Sequence, residues 1–371
     1  MLGLRLLERI WLMDKRFGLC GMALALIVAC VPLQAQDRSG VSSGGNSVSD
    51  VRDMDTVVVT GVQPGPGLWR ARHPNGHTLY ILGTQSPLPA GMSWRADEVR
   101  GVLAEAGAVL GSPGAQLDAD VGFFGRLALA PAALRASRNP EGATLDELLP
   151  PDVYAQWTAL KARYIGRDRG IERKRPFIAV NELYRAALKQ HGLLEGGIIA
   201  LVIDEALKDR DMERISTTVK VPIEDPRAAL ASFRRETMQP EEVDCVRATL
   251  GVIERDLPGI AARANAWAGG DLDVLRAMPD PRSQVTACLS ALHASQTAQK
   301  LGMAGVQARA DALWLEAVDK AMAEHATVFA TLSISTLLRE GELLAALRAR
   351  GYTVLAPDEA DTAAEDAPSV E

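Results

Sequence analysis

The strand-forming segments of this sequence lie near its two ends, and this placement constrains the fold more than any other feature. On the N-terminal side, Leu68–Arg72 alternates apolar and polar residues, and residues 78–82 form a second β-prone run. The Asn75-Gly76 pair between them is the strongest short signal for a β-hairpin. Apolar residues at helical spacing then predict a helix over residues 93–105.

The C-terminal side repeats this order of strand, loop and helix. Residues 327–334 are β-prone, residues 341–350 have helical spacing, and residues 352–355 form a last short strand. Residues 120–324 are mostly helical in pattern, with one strand near residues 216–221. We therefore predict an α+β fold, with one sheet built from the N- and C-terminal strands and a large helical middle region.

The composition excludes several classes of protein. The 371 residues are 47% hydrophobic, which is the globular average, and the formal charge is −7 from 40 basic and 47 acidic residues. An acidic chain with only 5% aromatic residues gives no reason to expect nucleic acid as a partner. The mean hydropathy of +0.02 argues against a polytopic membrane protein.

The first 35 residues have the organisation of an export signal. Lys15 and Arg16 precede an apolar run over residues 17–31, and a small residue, Ala35, closes the segment. The apolar run is shorter than the roughly 20 residues that a membrane-spanning helix needs. Cleavage after Ala35 is the favoured interpretation.

Two other interpretations of this segment remain open. Residues 27–30, Ile-Val-Ala-Cys, resemble a bacterial lipobox, in which Cys30 would be lipidated and become the mature N-terminus. An uncleaved anchor is the third. All three predict a domain outside the cytoplasm, in the periplasm, that meets a membrane only through its signal or lipid anchor.

The rest of the chain divides by composition. Residues 36–56 are rich in Ser, Gly and Asp and predict a disordered tether, and residues 358–371 predict a disordered acidic tail. We predict that the remaining residues, 57–357, form the folded domain. Within it only Cys245 and Cys288 remain, and an exported pair of cysteines is expected to form a disulfide, with two buried free thiols as the alternative.

Several landmarks together resemble the TraB/GumN family, which includes the Tiki-type metalloproteases. The family opens with a Trp hairpin leading into Tyr-Leu-Leu-Gly-Thr, and here Trp69 precedes Tyr-Ile-Leu-Gly-Thr at residues 80–84. A late Trp, Gly, Asp and Leu cluster is matched by residues 266–272, and a closing Gly-Tyr-x-Val strand by residues 351–354. The resemblance covers roughly residues 67–357.

The family's polar motifs are degenerate in this chain. Its first Gly-x-x-His begins at Gly83, where Ser86 replaces the histidine, and its glutamate falls at Ser112. Its second Gly-x-x-His falls at Ser333, where Thr336 replaces the histidine. The family's Arg-Asn pair is likewise replaced, by residues 310–311, Ala-Asp.

These replacements remove the ligands that the family chemistry would use. Divalent metal sites need imidazole, carboxylate or thiolate groups, and neutral hydroxyls are poor substitutes. We therefore predict no catalytic residue, no metal and no cofactor. Gln85 and Ser86 could still bind a ligand at the opening of the cleft in which the family site would lie. The expected function is an exported, inactive binding or accessory domain that contacts an unidentified protein or a cell-envelope component.

Other polar groups keep alternatives open. A metal-dependent hydrolase or protease with a relocated site is the alternative function, and His73 and His77 could hold a metal across the hairpin if an acidic ligand lay near. Turn-flanking surface residues are the simpler interpretation of this pair. Residues 163–175 form the one concentrated basic patch, and a solvated helix–loop face is favoured over contact with lipid or polysaccharide.

Overall fold

A computed structural model describes residues 65–279, 282–339 and 341–359. The predicted signal at residues 1–35, the tether at residues 36–56 and the lipidation candidate Cys30 lie outside the described residues, as does most of the predicted tail. None of the helices in the part of the chain that the structure describes has the length and apolarity of a membrane span.

The described strands form one five-stranded sheet and two small two-stranded sheets. They are β1 (Leu68–Arg72), β2 (Thr78–Thr84), β3 (Leu88–Pro89), β4 (Ala108–Leu110), β5 (Gly114–Asp118), β6 (Leu193–Leu194), β7 (Thr218–Pro222), β8 (Thr327–Ser333) and β9 (Thr353–Leu355). The main sheet has the order β4-β8-β2-β1-β9. Strand β8 runs parallel to β2 and β4, whereas β1 is antiparallel to β2 and β9.

This sheet confirms the predicted fold class. It combines β1, β2 and β4 from the N-terminal side with β8 and β9 from the C-terminal side, so the chain is α+β with its helices concentrated between them. The hairpin forms where the Asn75-Gly76 pair predicted it, and Gly76 has a φ of 89°, a conformation that favours glycine.

Helices fill the middle of the chain and cover the sheet. The described α-helices are α1 (Asp97–Glu105), α2 (Phe123–Ala136), α3 (Leu145–Leu148), α4 (Pro151–Tyr164), α5 (Pro176–Gln190), α6 (Ile198–Asp209), α7 (Pro226–Arg235), α8 (Pro240–Gly251), α9 (Ile260–Ala268), α10 (Leu272–Ala277), α11 (Arg282–Ala294), α12 (Gln296–Lys300), α13 (Val306–Glu324), α14 (Ile334–Leu337) and α15 (Glu342–Ala349). Helix α1 begins four residues later than predicted.

Strand β5 is an element that the sequence pattern did not reveal. It pairs in parallel with β7, about a hundred residues further along the chain. Its sequence, Gly-Ala-Gln-Leu-Asp, contains no β-branched or aromatic residue, so local propensity gives little sign of a strand. Long-range pairing with β7 determines its conformation instead.

Two large hydrophobic cores share helix α9. The first packs against the main sheet and includes Trp267, Trp314 and Phe329, all fully buried. The second lies among the middle helices and includes Trp157. Ile260, at the start of α9, belongs to the second core and Trp267, near its end, to the first. Helix α9 therefore connects the sheet to the helical region.

A disulfide between Cys245 and Cys288 joins helices α8 and α11. It confirms the predicted pairing and closes a loop of 43 residues. The Cys245 side chain is buried beside Val246 and Leu250 of the helical core. The crosslink therefore ties α11 to that core by a covalent bond.

Candidate functional site

The positions at which the resemblance predicts the family motifs meet at one edge of the main sheet. Strands β2, β4 and β8 run in the same direction, so the residues that follow them lie side by side. Gly83 is paired with Leu332 and Thr84 with Ser333 in the strand register. The carboxyl edge of a parallel sheet is a common place for ligand sites, and the segments that carry Ser86, Ser112 and Thr336 begin there.

Ser112 is held by hydrogen bonds to strand β8. Its Oγ donates to the Thr331 carbonyl oxygen at 2.9 Å and lies 3.0 Å from the Thr331 hydroxyl. The Thr217 hydroxyl in turn contacts the Ser112 carbonyl oxygen at 3.0 Å. The Ser112 side chain, at the predicted position of the family glutamate, thus fixes the loop after β4 to the neighbouring strand.

Ser333 and Thr336 form the start of the short helix α14. The Thr336 backbone N–H donates to Ser333 Oγ at 3.1 Å, and the two hydroxyl oxygens are 2.8 Å apart. This is an N-cap, in which a side-chain oxygen satisfies a free backbone donor of the first helical turn. Both hydroxyls at the second degenerate motif therefore have partners within the helix end.

Gly83 lets strand β2 approach its neighbours closely. A Cβ at this position would lie 2.6 Å from Ile334 Cδ1 and 3.2 Å from Trp69 Cζ3. The Gly83 carbonyl oxygen accepts a buried hydrogen bond of 2.6 Å from Trp267 Nε1. Trp94 packs on the Trp267 ring, with a centroid distance of 5.4 Å. The close contacts favour glycine at position 83, and the indole N–H holds Trp267 to the same backbone.

Gln85 and Arg263 form a buried polar pair beside the first degenerate motif. Arg263 Nε donates to Gln85 Oε1 at 3.2 Å, and both side chains are buried. Arg263 Nη1 donates to the Pro279 carbonyl oxygen at 3.3 Å. Desolvation lowers the pKa of Arg263, and no carboxylate in the described part of the chain forms an ion pair with it. Ser86, next in sequence to Gln85, is exposed.

Sequence reasoning did not single out Arg263. A signal was present, because Arg263 stands four residues before Trp267 in an Ala-rich helix and so lies on the same face as that buried ring. A cationic residue on the buried face of a helix has to find polar partners inside the protein. Gln85, at the variable position of the first motif, is one of them.

The residues of this edge do not fit a divalent metal ion. Ser86, Ser112 and Thr336 supply neutral hydroxyls, and those of Ser112 and Thr336 are held in local hydrogen bonds. The Arg263 guanidinium adds a positive charge within hydrogen-bond reach of Gln85, which opposes the entry of a cation. Across residues 65–279, 282–339 and 341–359, no three His, Cys, Asp or Glu side chains come close enough together to hold a metal.

A family model described as the TraB/PrgY/gumN family matches residues 67–356. The chain belongs to this family. The match spans the hairpin, the helical middle and the last strand, so all five strands of the main sheet lie within the matched residues. No curated protein and no solved structure matches the chain.

The other polar groups noted in the sequence have structural contacts in this family member. His77 Nδ1 lies 2.7 Å from the Met322 carbonyl oxygen, and the His73 ring packs on Tyr352. Asp271 caps helix α10 by accepting a 3.0 Å hydrogen bond from the Val274 backbone N–H.

The basic patch is only partly a solvated face. Arg167 and Arg169 are exposed, as predicted for the whole of residues 163–175. Arg175, in contrast, is 1% exposed and donates to the carbonyl oxygen of Glu236 at 2.8 Å. The prediction of a solvated face is wrong for this residue, because its guanidinium finds backbone acceptors and the ring of Phe233 inside the protein.

Proposed function

We propose that this chain is an exported, non-catalytic member of the TraB/PrgY/gumN family that acts as a binding or accessory domain in the cell envelope. The single observation that carries the proposal is the composition of the carboxyl edge of the sheet. Hydroxyl groups engaged in structural hydrogen bonds and a guanidinium occupy the region where a catalytic metal would require anionic or imidazole ligands.

Two features support export. The disulfide between Cys245 and Cys288 is of the kind that persists in oxidising compartments and is rare in the cytosol. The first 35 residues have the order of basic, apolar and small residues that export signals share. Mass spectrometry of the mature N-terminus tests this part: a start at Gln36 indicates simple cleavage, a lipidated Cys30 indicates an anchored protein, and an intact Met1 contradicts export by cleavage.

A metal-binding and cleavage assay tests the absence of catalysis. We expect the purified chain starting at Gln36 to bind no divalent first-row metal ion stoichiometrically and to cleave no peptide in a mixed library. Stoichiometric, tightly held metal with chelator-sensitive cleavage would overturn the proposal and support a metal-dependent hydrolase with a relocated site.

A variant that restores the ligands makes the test sharper. In the triple variant Ser86→His, Ser112→Glu and Thr336→His, we expect metal affinity to appear, because the three loops already meet at one sheet edge. The matched control carries Ser86→Asn, Ser112→Gln and Thr336→Asn, which are similar in size but have no ligating charge or imidazole. Equal metal binding by wild type, variant and control would contradict our interpretation of the site.

A further inference from the structure

Helix α2 (Phe123–Ala136) exposes four large apolar side chains to solvent. Phe123 is 56% exposed, Phe124 81%, Leu127 58% and Leu134 63%. Single exposed apolar residues are ordinary on protein surfaces, but a contiguous group on one element marks an interaction site. The inner side of the same helix is anchored by Ala133 and Ala136, which are buried.

The exposed residues form one continuous stripe. At about 100° per residue, Phe123, Leu134, Leu127 and Phe124 fall within an arc of roughly 100° on the helix. Arg126 lies about 60° beyond one edge of this arc, and Arg135 about 20° beyond the other. The stripe is therefore apolar in the middle and cationic along both sides.

The two helices at the stripe are basic although the chain as a whole is acidic, and the exposed acidic residues Asp120 and Asp225 lie just before them. Neither α2 nor the neighbouring helix α7 (Pro226–Arg235) contains an acidic residue. Helix α7 packs against α2 and adds exposed Arg227, Arg234 and Arg235. Among the described residues, no ion pair joins these three arginines, Arg126 or Arg135 to a carboxylate, so their charges are available to an external anion.

We propose that helix α2 docks on a lipid bilayer with anionic headgroups. The aromatic and leucine side chains of the stripe enter the boundary between headgroups and acyl chains, and the flanking arginines contact the phosphates. The opposite face of α2 packs on the protein, so only the exposed stripe is available to a bilayer. Its Phe and Leu side chains and the arginines beside them are the residue types that bind a membrane interface. The contact goes beyond the proposed function, because it is independent of the sheet edge and of any lipid anchor.

A bilayer fits this surface better than a second copy of the chain. In a two-fold dimer the patch would meet itself, so Arg126 and Arg135 would face arginines of the same charge. The stripe is also small for a protein interface: at these exposed fractions its four side chains present on the order of 450 Å² of accessible surface. Stable protein interfaces bury about 800 Å² per partner.

Vesicle sedimentation tests the proposal with the chain starting at Gln36. We expect co-sedimentation with vesicles of 30% phosphatidylglycerol in phosphatidylcholine, at least about tenfold weaker binding to pure phosphatidylcholine, and loss of binding as salt is raised. The double variant Phe124→Ser and Leu127→Ser should reduce binding about tenfold or more. Since both residues are exposed, circular dichroism should show an unchanged fold.

Matched controls distinguish binding through the stripe of helix α2 from effects of charge or exposed apolar side chains elsewhere on the protein. Leu201→Ser removes a 70% exposed leucine on helix α6 and should leave binding unchanged. Arg126→Gln with Arg135→Gln should weaken binding about thirtyfold at low salt, since each arginine near an anionic surface contributes about 1 kcal/mol. Arg167→Gln with Arg169→Gln removes the same charge from an exposed loop and should not weaken it.

Three outcomes would overturn the proposal. The first is absence of binding to the anionic vesicles at low salt, and the second is binding that the Phe124 and Leu127 substitutions leave unchanged. The third is self-association in analytical ultracentrifugation that disappears with the same two substitutions, because it would assign the stripe to a second copy of the chain.

Discussion

Removal of the disulfide is the most direct test of how the helical middle is stabilised. The perturbation is the double variant Cys245→Ala and Cys288→Ala, which breaks the bond between helices α8 and α11. Alanine is preferable to serine, because Cys245 is only 3% exposed and a serine hydroxyl there would be buried. The variant leaves every other described side chain in place.

The size of the effect follows from the length of the closed loop. The bond joins residues 43 positions apart, and the chain-entropy model gives such a crosslink about 4 kcal/mol of stabilisation through the unfolded state. With a urea m-value of about 3 kcal/mol/M, the midpoint of unfolding should fall by about 1.3 M.

Urea unfolding, followed by circular dichroism, measures this shift. Each single variant, Cys245→Ala or Cys288→Ala, should lose nearly as much stability as the double variant, because either one breaks the same bond. Wild-type protein unfolded in reductant should approach the same midpoint. An unchanged midpoint and an unchanged m-value in the double variant would show that the 43-residue loop contributes nothing to the entropy of the unfolded chain.

Three further substitutions have defined expectations, each measured by urea unfolding. Burial raises the pKa of Glu242, so stability should fall as the pH rises from the ordinary glutamate value through this raised pKa. Glu242→Gln should reduce the dependence of the free energy of unfolding on pH in this range. An unchanged dependence would contradict the attribution of the effect to Glu242. Trp267→Phe removes a buried N–H group that donates to a backbone carbonyl oxygen. It should lower the free energy of unfolding by about 1–3 kcal/mol more than Trp314→Phe, because Trp314 Nε1 has no partner among the described residues. Equal losses of stability in the two variants would contradict a stabilising role for the Trp267 hydrogen bond. Gly83→Ala should destabilise the fold by about 1–3 kcal/mol, because its Cβ would overpack against neighbouring side chains. Gly101→Ala, at a helical position with open space around it, should stabilise the fold by up to about 1 kcal/mol. The reverse order would contradict the close contacts of Gly83.

Much of the sheet could be predicted from the sequence because its signals are local. Strand β1 has the predicted bounds, and β2 begins at the predicted residue, since the alternating pattern and the Asn75-Gly76 turn act within a few residues. Strand β8 ends one residue before its predicted end, where Ser333 becomes the cap of helix α14. The cap ends the strand because its side chain binds a backbone donor of the following turn.

The features that escaped prediction depend on partners far away in the chain. Strand β5 exists because β7 pairs with it, and its own residues do not favour a strand. The contact of Arg263 with Gln85 joins residues 178 positions apart, and no local pattern encodes it. The positions of the degenerate motifs stay a prediction from the family resemblance, whereas the hydrogen bonds of the Ser112 and Thr336 hydroxyl groups follow only from the three-dimensional arrangement.

The polar pair of Arg263 and Gln85 also bears on what the sheet edge can bind. A buried guanidinium stabilises a fold only weakly when no carboxylate accompanies it, because its desolvation has to be offset by hydrogen bonds to neutral groups. Here those groups are one amide oxygen and one backbone carbonyl oxygen. A divalent cation placed beside Ser86 would face this charge without an anionic ligand to neutralise it. The same charge would attract an anionic or carbonyl-bearing group, so any ligand of this edge should carry acceptors rather than a positive charge.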